Sequence, residues 1–249
     1  VLVYKYGLYG AVGATFIGVF SKFILLSFTV LKKKSYKFSV GLSKKLLNYS
    51  LPKIPHKIFG FVIAFSTTLF INETLGLVSA GIYFVAAKLS KPLNLITNVF
   101  QQSWVPYRLE VHKMKDKEKL FAEISYVYIN ALLFLWLILS IYCTDIYYLL
   151  IDPRYYKGVE YVPLITLVPI SNAFYYMYIT GYELHSNQTY IMFGSFIVSL
   201  LQIVLCYLFM DVYAPYNFIA FNILSFILLA FFVKIKSNEI VRYKFYFIR

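Results

Sequence analysis

The sequence predicts an all-α, polytopic membrane protein with about seven transmembrane helices. Of its 249 residues, 60% are hydrophobic and 14% are charged, whereas soluble domains are about 45–50% apolar and about 25% charged. The apolar residues fall into runs of about 20, the length that a helix needs to cross about 30 Å of hydrocarbon. Most of the 24 Lys and Arg residues lie between these runs. We therefore interpret the net charge of +13 as a signal for orientation in the membrane, and we expect no nucleic acid partner.

Seven apolar runs are long enough to span a bilayer, and polar or proline-containing segments separate them. A basic loop, 32–48, follows the first run, and its last residues are amphipathic. The second run begins beside two prolines, which the first helical turn tolerates because its N–H groups have no helical partner. The runs cover residues 7–31, 52–71, 77–100, 124–144, 161–182, 189–210 and 212–233.

Apart from the basic loop 32–48, two of the connections between the runs are long. Residues 108–123 are too polar to cross a membrane, and they are predicted to form a separate surface helix. Residues 145–158 contain DPRYYKG, which is typical of a turn. Within the fifth run, Pro163 and Pro169 predict a bend. A very short turn, 185–188, precedes the sixth run.

The distribution of positive charge predicts the orientation. If the runs alternate in direction, segments 32–48, 101–122, 185–188 and 234–249 share one side and hold 16 of the 24 Lys and Arg residues. The segments on the other side hold 3, and the remaining five lie in or beside the spans. Because cytoplasmic loops are enriched in Lys and Arg, the first side is predicted to be cytoplasmic, with the C-terminus on it.

No catalytic, metal or cofactor site is predicted from the residues. Cys143 and Cys206 lie in separate apolar runs and are interpreted as small buried hydrophobic residues. The three histidines are far apart, and no phosphate-binding glycine loop or nucleophile motif is present in the sequence.

The third run carries a polar stripe on an otherwise apolar helix. At about 100° per residue, its five polar residues fall within an arc of about 120°. Lys88 lies 11 residues from the predicted start of the run, about 17 Å along the axis. A lysine at this depth costs about 2.5–3.5 kcal/mol on insertion scales, so the stripe is expected to face a water-filled cavity or partner groups. The stripe consists of Lys88, Lys91, Asn94, Asn98 and Gln102.

Two interpretations of the lysines remain open. In the first, they are residues of a substrate site; in the second, they are structural and paired with Glu73 or a neighbouring helix. Pro92 removes the backbone hydrogen bond to the Lys88 carbonyl, so a bend or a local opening is expected there.

Other spans carry weaker polar patterns. The tyrosines of the fifth run fit an aromatic belt or a surface on which a sugar could stack. Polar residues of the second and sixth runs fit helix packing and hydrogen bonding between helices. Four of these residues are additional candidates for the lining of a cavity: Thr67, Thr68, Asn172 and Tyr175.

Five short motifs occur along the second to fifth runs. They are Y-S-L-P-x-x-P-H at 49–56, G-I-Y-x-V-A-x-K at 81–88, Q-x-W-x-P at 102–106, P-x-Y-Y at 153–156 and V-P-L at 162–164. In order and spacing, the chain over about 49–233 resembles the C-terminal half of the polysaccharide repeat-unit flippases of the O-antigen and capsule type. These belong to a superfamily that includes multidrug and toxic-compound extrusion transporters.

The resemblance implies a transporter of two six-helix lobes. Residues 1–31 would be the last helix of an N-terminal lobe whose other helices lie upstream. Residues 32–48 would be a cytoplasmic basic linker, and 49–249 a C-terminal six-helix transport lobe with a basic tail. Such proteins move lipid-linked oligosaccharides across the bacterial plasma membrane by alternating access around a cationic cavity. Some are coupled to an H⁺ or Na⁺ gradient. Family members often carry an Asp-Arg pair where this chain has Thr67 and Thr68, so a role for that pair is in doubt here.

Two alternatives remain open beside the flippase. One is a small-molecule or multidrug antiporter of the same superfamily, although the lysines favour an anionic substrate. The other is a membrane glycosyltransferase or polymerase. Such an enzyme is expected to have a large outer loop with acidic or arginine catalytic groups, whereas the longest outer loop predicted here has 14 residues. The sequence therefore favours a carrier, not an enzyme.

Overall fold

The computed structural model describes residues 2–31, 39–183 and 188–240, and the regular elements within these ranges are helices. Ten α-helices and two 3₁₀ segments lie in the described ranges. The α-helices are α1 (Leu2–Leu31), α2 (Val40–Ser50), α3 (Lys53–Ala87), α4 (Lys91–Val111), α5 (Lys117–Ile141), α6 (Cys143–Leu150), α7 (Val162–Ile165), α8 (Leu167–Glu183), α9 (Gln188–Leu208) and α10 (Tyr216–Ile240), and the 3₁₀ segments are Lys88–Ser90 and Pro153–Tyr161.

The chain divides into two compact units, residues 1–46 and 47–249. The first unit contains α1, which departs from helical geometry at Gly7, where φ is 51°. Its apolar side chains are exposed, as at Phe16, Val19 and Phe23. Exposed apolar side chains on a helix of this length fit contact with lipid or with another helix.

Six helical stretches within the described residues are long and apolar enough to cross a membrane. This confirms the all-α membrane class, and the count is close to the predicted seven. The stretches cover Tyr9–Phe28, Val40–Val111, Lys117–Ile141, Pro153–Ile179, Gln188–Leu208 and Tyr216–Ile235.

The second stretch, of 72 residues, is long enough for two crossings and reverses direction within its length. Lys57 and Gln101 are 44 residues apart, which in a straight helix would be about 66 Å. Both nevertheless line the same cavity. The chain leaves helical geometry at Gly76, where φ is 80° and ψ is 171°. A residue with a side chain adopts this conformation only with strain, so glycine is required at this break.

The core of the second unit lies among α3, α4, α5, α8, α9 and α10. At one end, aromatic rings join α4 to α5, with the ring centroids of Phe100 and Tyr128 3.8 Å apart. Trp104 meets Phe121 edge-on at 5.4 Å. These ring contacts position the C-terminal half of α4.

Deeper in this unit, buried amides join α3 to α9 and α10. The Nε2 of Gln202 donates to the Ile63 carbonyl at 3.0 Å and to the Ser66 hydroxyl at 2.7 Å. The Nδ2 of Asn222 donates to the same carbonyl at 2.7 Å and to Thr67 Oγ1 at 3.2 Å. Polar side chains of the second and sixth runs thus hold helices together, as the sequence predicted for the sixth.

The predicted surface helix at 108–123 is wrong. Helix α4 continues to Val111, a turn follows, and α5 already begins at Lys117. The cause is packing: Val111 is fully buried and Arg108 is 8% exposed, so the polar end of α4 belongs to the core of its unit.

The connection predicted at 145–158 is not an irregular loop, because α6 and a 3₁₀ segment occupy most of it. Tyr147 is fully buried, and its hydroxyl donates to the Tyr155 carbonyl at 3.0 Å. Asp152 accepts hydrogen bonds from the backbone N–H of Arg154 at 3.0 Å and from its guanidinium at 2.9 Å. The bond from the guanidinium lowers the pKa of the Asp152 carboxyl below its ordinary value.

The remaining boundaries differ by smaller amounts. The fifth run is interrupted at Thr166, between α7 and α8, as its two prolines predicted. The fourth run begins earlier than predicted, at Lys117, and the seventh begins later, at Tyr216. The turn predicted at 185–188 lies, apart from Gln188, outside the described residues. Residues 32–38 of the basic loop and the tail after Ile240 also lie outside them.

Candidate functional site

A pocket of about 440 Å³ opens in the second unit where the ends of α3, α4, α8 and α9 meet. From the charge distribution, these four ends are predicted to lie on the cytoplasmic side. Apolar side chains form part of the wall, among them Trp104, Val105 and Ile179. Most of the remaining lining is basic or amide-bearing.

Four basic side chains line the pocket: Lys53, His56 and Lys57 from α3, and Arg108 from α4. No Asp or Glu is among the described residues that line it. Lys53 is half-buried, and its Nζ donates to the Tyr49 hydroxyl at 3.0 Å. Lys57 is exposed at the pocket, whereas Arg108 is buried. Such a concentration of one sign of charge favours an anionic ligand.

Amide side chains complete the polar part of the lining. Gln101 and Gln102 contribute from α4 and Gln188 from the start of α9. Gln188 is 4% exposed, and its Nε2 has no acceptor among the described residues. A buried N–H without an acceptor costs about 1–3 kcal/mol, so a ligand oxygen here would relieve a real penalty.

His56 connects three of the helices that surround the pocket. Its Nδ1 lies 2.6 Å from Ser195 Oγ on α9, and its Nε2 lies 3.2 Å from the Tyr175 hydroxyl on α8. The Ser195 hydroxyl already donates to the Ile191 carbonyl at 2.8 Å. The single proton of the Ser195 hydroxyl is used in that bond, so the Nδ1–H of His56 donates to Ser195 Oγ.

The five residues of the polar stripe are placed differently from the ideal helix assumed above. Lys88 lies in a 3₁₀ turn, which separates it from the helix that carries the other four. Pro92 stands in the first turn of that helix, and just before it the α-helix is interrupted by the 3₁₀ turn, in which the Lys91 N–H donates to the Lys88 carbonyl. Lys88, Lys91 and Asn98 are exposed, whereas Asn94 is half-buried and donates to the Ser90 carbonyl at 3.1 Å.

Neither lysine of the stripe forms an ion pair with Glu73 in the described part of the chain. Glu73 is itself exposed, and Lys88 Nζ lies 5.6 Å from the centroid of the Phe84 ring. Pairing with Glu73, the structural alternative considered above, is not observed.

Gln102 belongs to both features, because it is the last residue of the stripe and also lines the pocket. From Lys91 to Gln102 the helix rises about 16 Å. Exposed polar side chains therefore extend along α4 from the middle of its apolar stretch to the basic pocket.

The four additional candidates do not join this surface. Thr67 is fully buried, and its Oγ1 donates to the Phe218 carbonyl at 3.3 Å. Tyr175 is 2% exposed and bonds His56, so it belongs to the core and offers no face to a sugar. Thr68 and Asn172 are half-buried. Of the nine candidate site residues, only Gln102 lines the pocket.

Sequence reasoning missed His56, Arg108 and Gln188. Lys53 and Lys57 lie at the predicted start of the second run, where lysines are typical of the membrane interface. One usable signal was present: Lys53, His56 and Lys57 recur at three- and four-residue spacing, which places them on one face of a helix. Arg108 and Gln188 gave no such signal, because only the tertiary fold brings them to this face.

Comparison of the chain with protein-family models, with curated proteins and with solved structures finds no match.

Proposed function

We propose that this chain forms the transport lobe of a membrane carrier that moves a polyprenyl-pyrophosphate-linked oligosaccharide from the cytoplasmic to the outer leaflet of the bacterial plasma membrane. The observation that carries the proposal is the exposure of Lys88 and Lys91 on an apolar segment of membrane-spanning length. The pocket next to the end of the same polar stripe adds further positive charge.

The energetic argument concerns what the two lysines face. In contact with lipid at the middle of a bilayer, they would together cost about 5–7 kcal/mol. Their exposure on the second unit, without an ion pair to Glu73, favours instead a wet cavity that a second lobe closes. In carriers of this kind, the substrate site lies near the bilayer midplane between two helical repeats, and alternating access exposes it to each side in turn.

The chemistry of the stripe suits a phosphorylated sugar lipid. Lysine binds phosphate as a compact and mobile point charge, which favours release as well as binding. Amides such as Asn98 and Gln102 can donate to sugar hydroxyls and accept from them. Transport of this kind needs no covalent step, and an H⁺ or Na⁺ gradient would supply the energy.

The orientation is part of the proposal. Segments 32–48, 101–122 and 234–249 hold 16 of the 24 Lys and Arg residues, which favours a cytoplasmic location for these segments and the C-terminus. The basic pocket is then open to the cytoplasmic leaflet, where a lipid-linked oligosaccharide would be collected.

The test is complementation of a bacterial strain that lacks its own repeat-unit flippase, with the protein expressed from its complete gene. Restored surface polysaccharide is the expected result. Lys88→Gln with Lys91→Gln should abolish export, and Lys→Arg at either position should retain part of it. The matched control is Lys44→Gln with Lys45→Gln on α2, which makes the same change in charge at exposed positions and should leave export intact.

Membrane levels of each variant are measured by immunoblot. Normal export by the double Gln variant would assign the lysines a role other than substrate binding. Failure of the unmodified protein to restore export in strains of several polysaccharide types would overturn the flippase itself.

A further inference from the structure

We propose that the pocket at the ends of α3, α4, α8 and α9 binds the phosphate-bearing headgroup of a membrane lipid. The site differs from the lysine stripe, with which it shares only Gln102. It is also independent of transport, because a lipid could bind here whether or not it is carried across the membrane.

The first argument is the supply of hydrogen-bond donors. Lys53, Lys57 and Arg108 line one cavity, and ammonium and guanidinium groups form charge-assisted hydrogen bonds with phosphate oxygens. Arg108 enters the cavity from a buried position, so its guanidinium is held in place by the surrounding helices. A fixed guanidinium loses little freedom when it binds an anion.

The second argument comes from Gln188. Its buried Nε2 lacks an acceptor among the described residues, although the side chain lines the pocket. A neutral donor without a partner, beside three cations, matches an acceptor-rich ligand that carries negative charge. The described lining contains no Asp or Glu, so none of its own carboxylates accepts from these donors.

The third argument is the mixed character of the walls. Trp104, Val105 and Ile179 give one part of the lining an apolar surface. Beyond the pocket, α4 continues with exposed apolar side chains such as Leu95 and Val99. A lipid fits both the basic and the apolar surface. Its headgroup would occupy the basic part of the pocket, and its chains would lie along the apolar face of the helix. A free phosphate would use only the first.

The size of the pocket is adequate. Ligand sites in proteins commonly have volumes of about 300–1,000 Å³, and this one has about 440 Å³. Its position at the ends of four helices, on the side proposed to be cytoplasmic, is where headgroups of the cytoplasmic leaflet would lie.

The test is a binding experiment with the full chain purified in a neutral detergent. Thermal unfolding is followed during titration with phosphatidylglycerol, polyprenyl diphosphate, inorganic pyrophosphate and, as the uncharged comparison, diacylglycerol. We expect both phosphate-bearing lipids to raise the melting temperature at lower concentrations than inorganic pyrophosphate, and diacylglycerol to have no effect.

The variant is Lys53→Gln with Lys57→Gln, which should weaken lipid binding about 100-fold, about tenfold for each charge-assisted contact. The control is Lys113→Gln with Lys115→Gln, which removes the same charge from exposed positions between α4 and α5 and should change affinity little. If the double pocket variant unfolds, Lys57→Gln alone tests the site, because that side chain is exposed. Lys57→Arg should retain binding.

The outcomes separate this proposal from the proposed function. Tighter binding of polyprenyl diphosphate than of phosphatidylglycerol would support both. Binding of phosphatidylglycerol alone, lost in the pocket variant, would support the headgroup site and argue against the flippase. Equal affinity of the pocket and control variants, or equal effects of diacylglycerol and the anionic lipids, would overturn the headgroup site.

Discussion

Replacement of Gly158 by alanine is expected to destabilise the second unit strongly. Gly158 is buried in the 3₁₀ segment Pro153–Tyr161, where the chain passes between α3 and α6. A Cβ added to this glycine would overlap the hydroxyl of Tyr147, and it would lie 3.1 Å from both Cγ2 and the carbonyl oxygen of Ile82. The Tyr147 ring is fully buried and the Ile82 carbonyl is part of a helix, so neither can move away easily.

The magnitude follows from two contributions. Crowding of a packed interior costs about 1–3 kcal/mol. Displacement of the Tyr147 hydroxyl also breaks its 3.0 Å hydrogen bond to the Tyr155 carbonyl, which adds about 1 kcal/mol or more. We therefore expect Gly158→Ala to lower the free energy of unfolding by about 2–4 kcal/mol.

The assay is equilibrium unfolding in mixed micelles, with Gly81→Ala as the matched control. Gly81 lies in α3, and no atom would come within 4 Å of its added Cβ. Alanine is also the better helix former by about 1 kcal/mol, so this control should be neutral or stabilising. Unfolding of Gly158→Ala at the same denaturant concentration as the unmodified chain would refute the reasoning about this contact.

Three further predictions concern hydrogen bonding, topology and pH. A double-mutant cycle of Gln202→Met and Ser66→Ala should give a coupling energy of about 0.6 kcal/mol, the usual value for hydrogen bonds between membrane helices; strictly additive unfolding energies would contradict it. Single cysteines at Lys115 and Tyr155, in a background without native cysteines, should be labelled by an impermeant reagent in intact cells at 155 only; labelling at 115 alone would reverse the proposed orientation. Asp152→Asn should reduce stability at neutral pH, because the carboxyl has a pKa below its ordinary value of 3.8 in the folded chain. The difference from the unmodified chain should persist above this value and disappear as the pH falls through the lowered pKa, and a pH-independent difference would argue against the ion pair.

The fold class could be predicted because it depends on composition and on the length of apolar runs. The interruption at Thr166 could also be predicted from the sequence, since prolines restrict the backbone locally. The end of α4 and the start of α5 could not be predicted, because the sequence there is polar although Arg108 and Val111 are buried. A polar residue at a helix end is exposed to solvent only where tertiary packing does not cover it.

The candidate site was predicted only in part. The lysines and amides of the stripe follow from helical periodicity. The 3₁₀ turn at Lys88–Ser90, however, places Lys88 outside the helix that carries the other four residues. The pocket could not be predicted, because it joins residues as distant in sequence as Lys53 and Gln188. Tyr175 resembled a residue of an aromatic belt, yet its hydroxyl meets His56 inside the unit.

The single-residue break at Gly76 has a consequence for how this protein is made. Helical geometry resumes directly at Leu77, so the two arms of the reversal are joined without a loop. A nascent chain would therefore pass both arms into the bilayer as one piece. Insertion of the apolar first arm, with its exposed Ile58, Phe61 and Phe65, is favourable. It would offset the free-energy cost of inserting the second arm, which carries the two lysines.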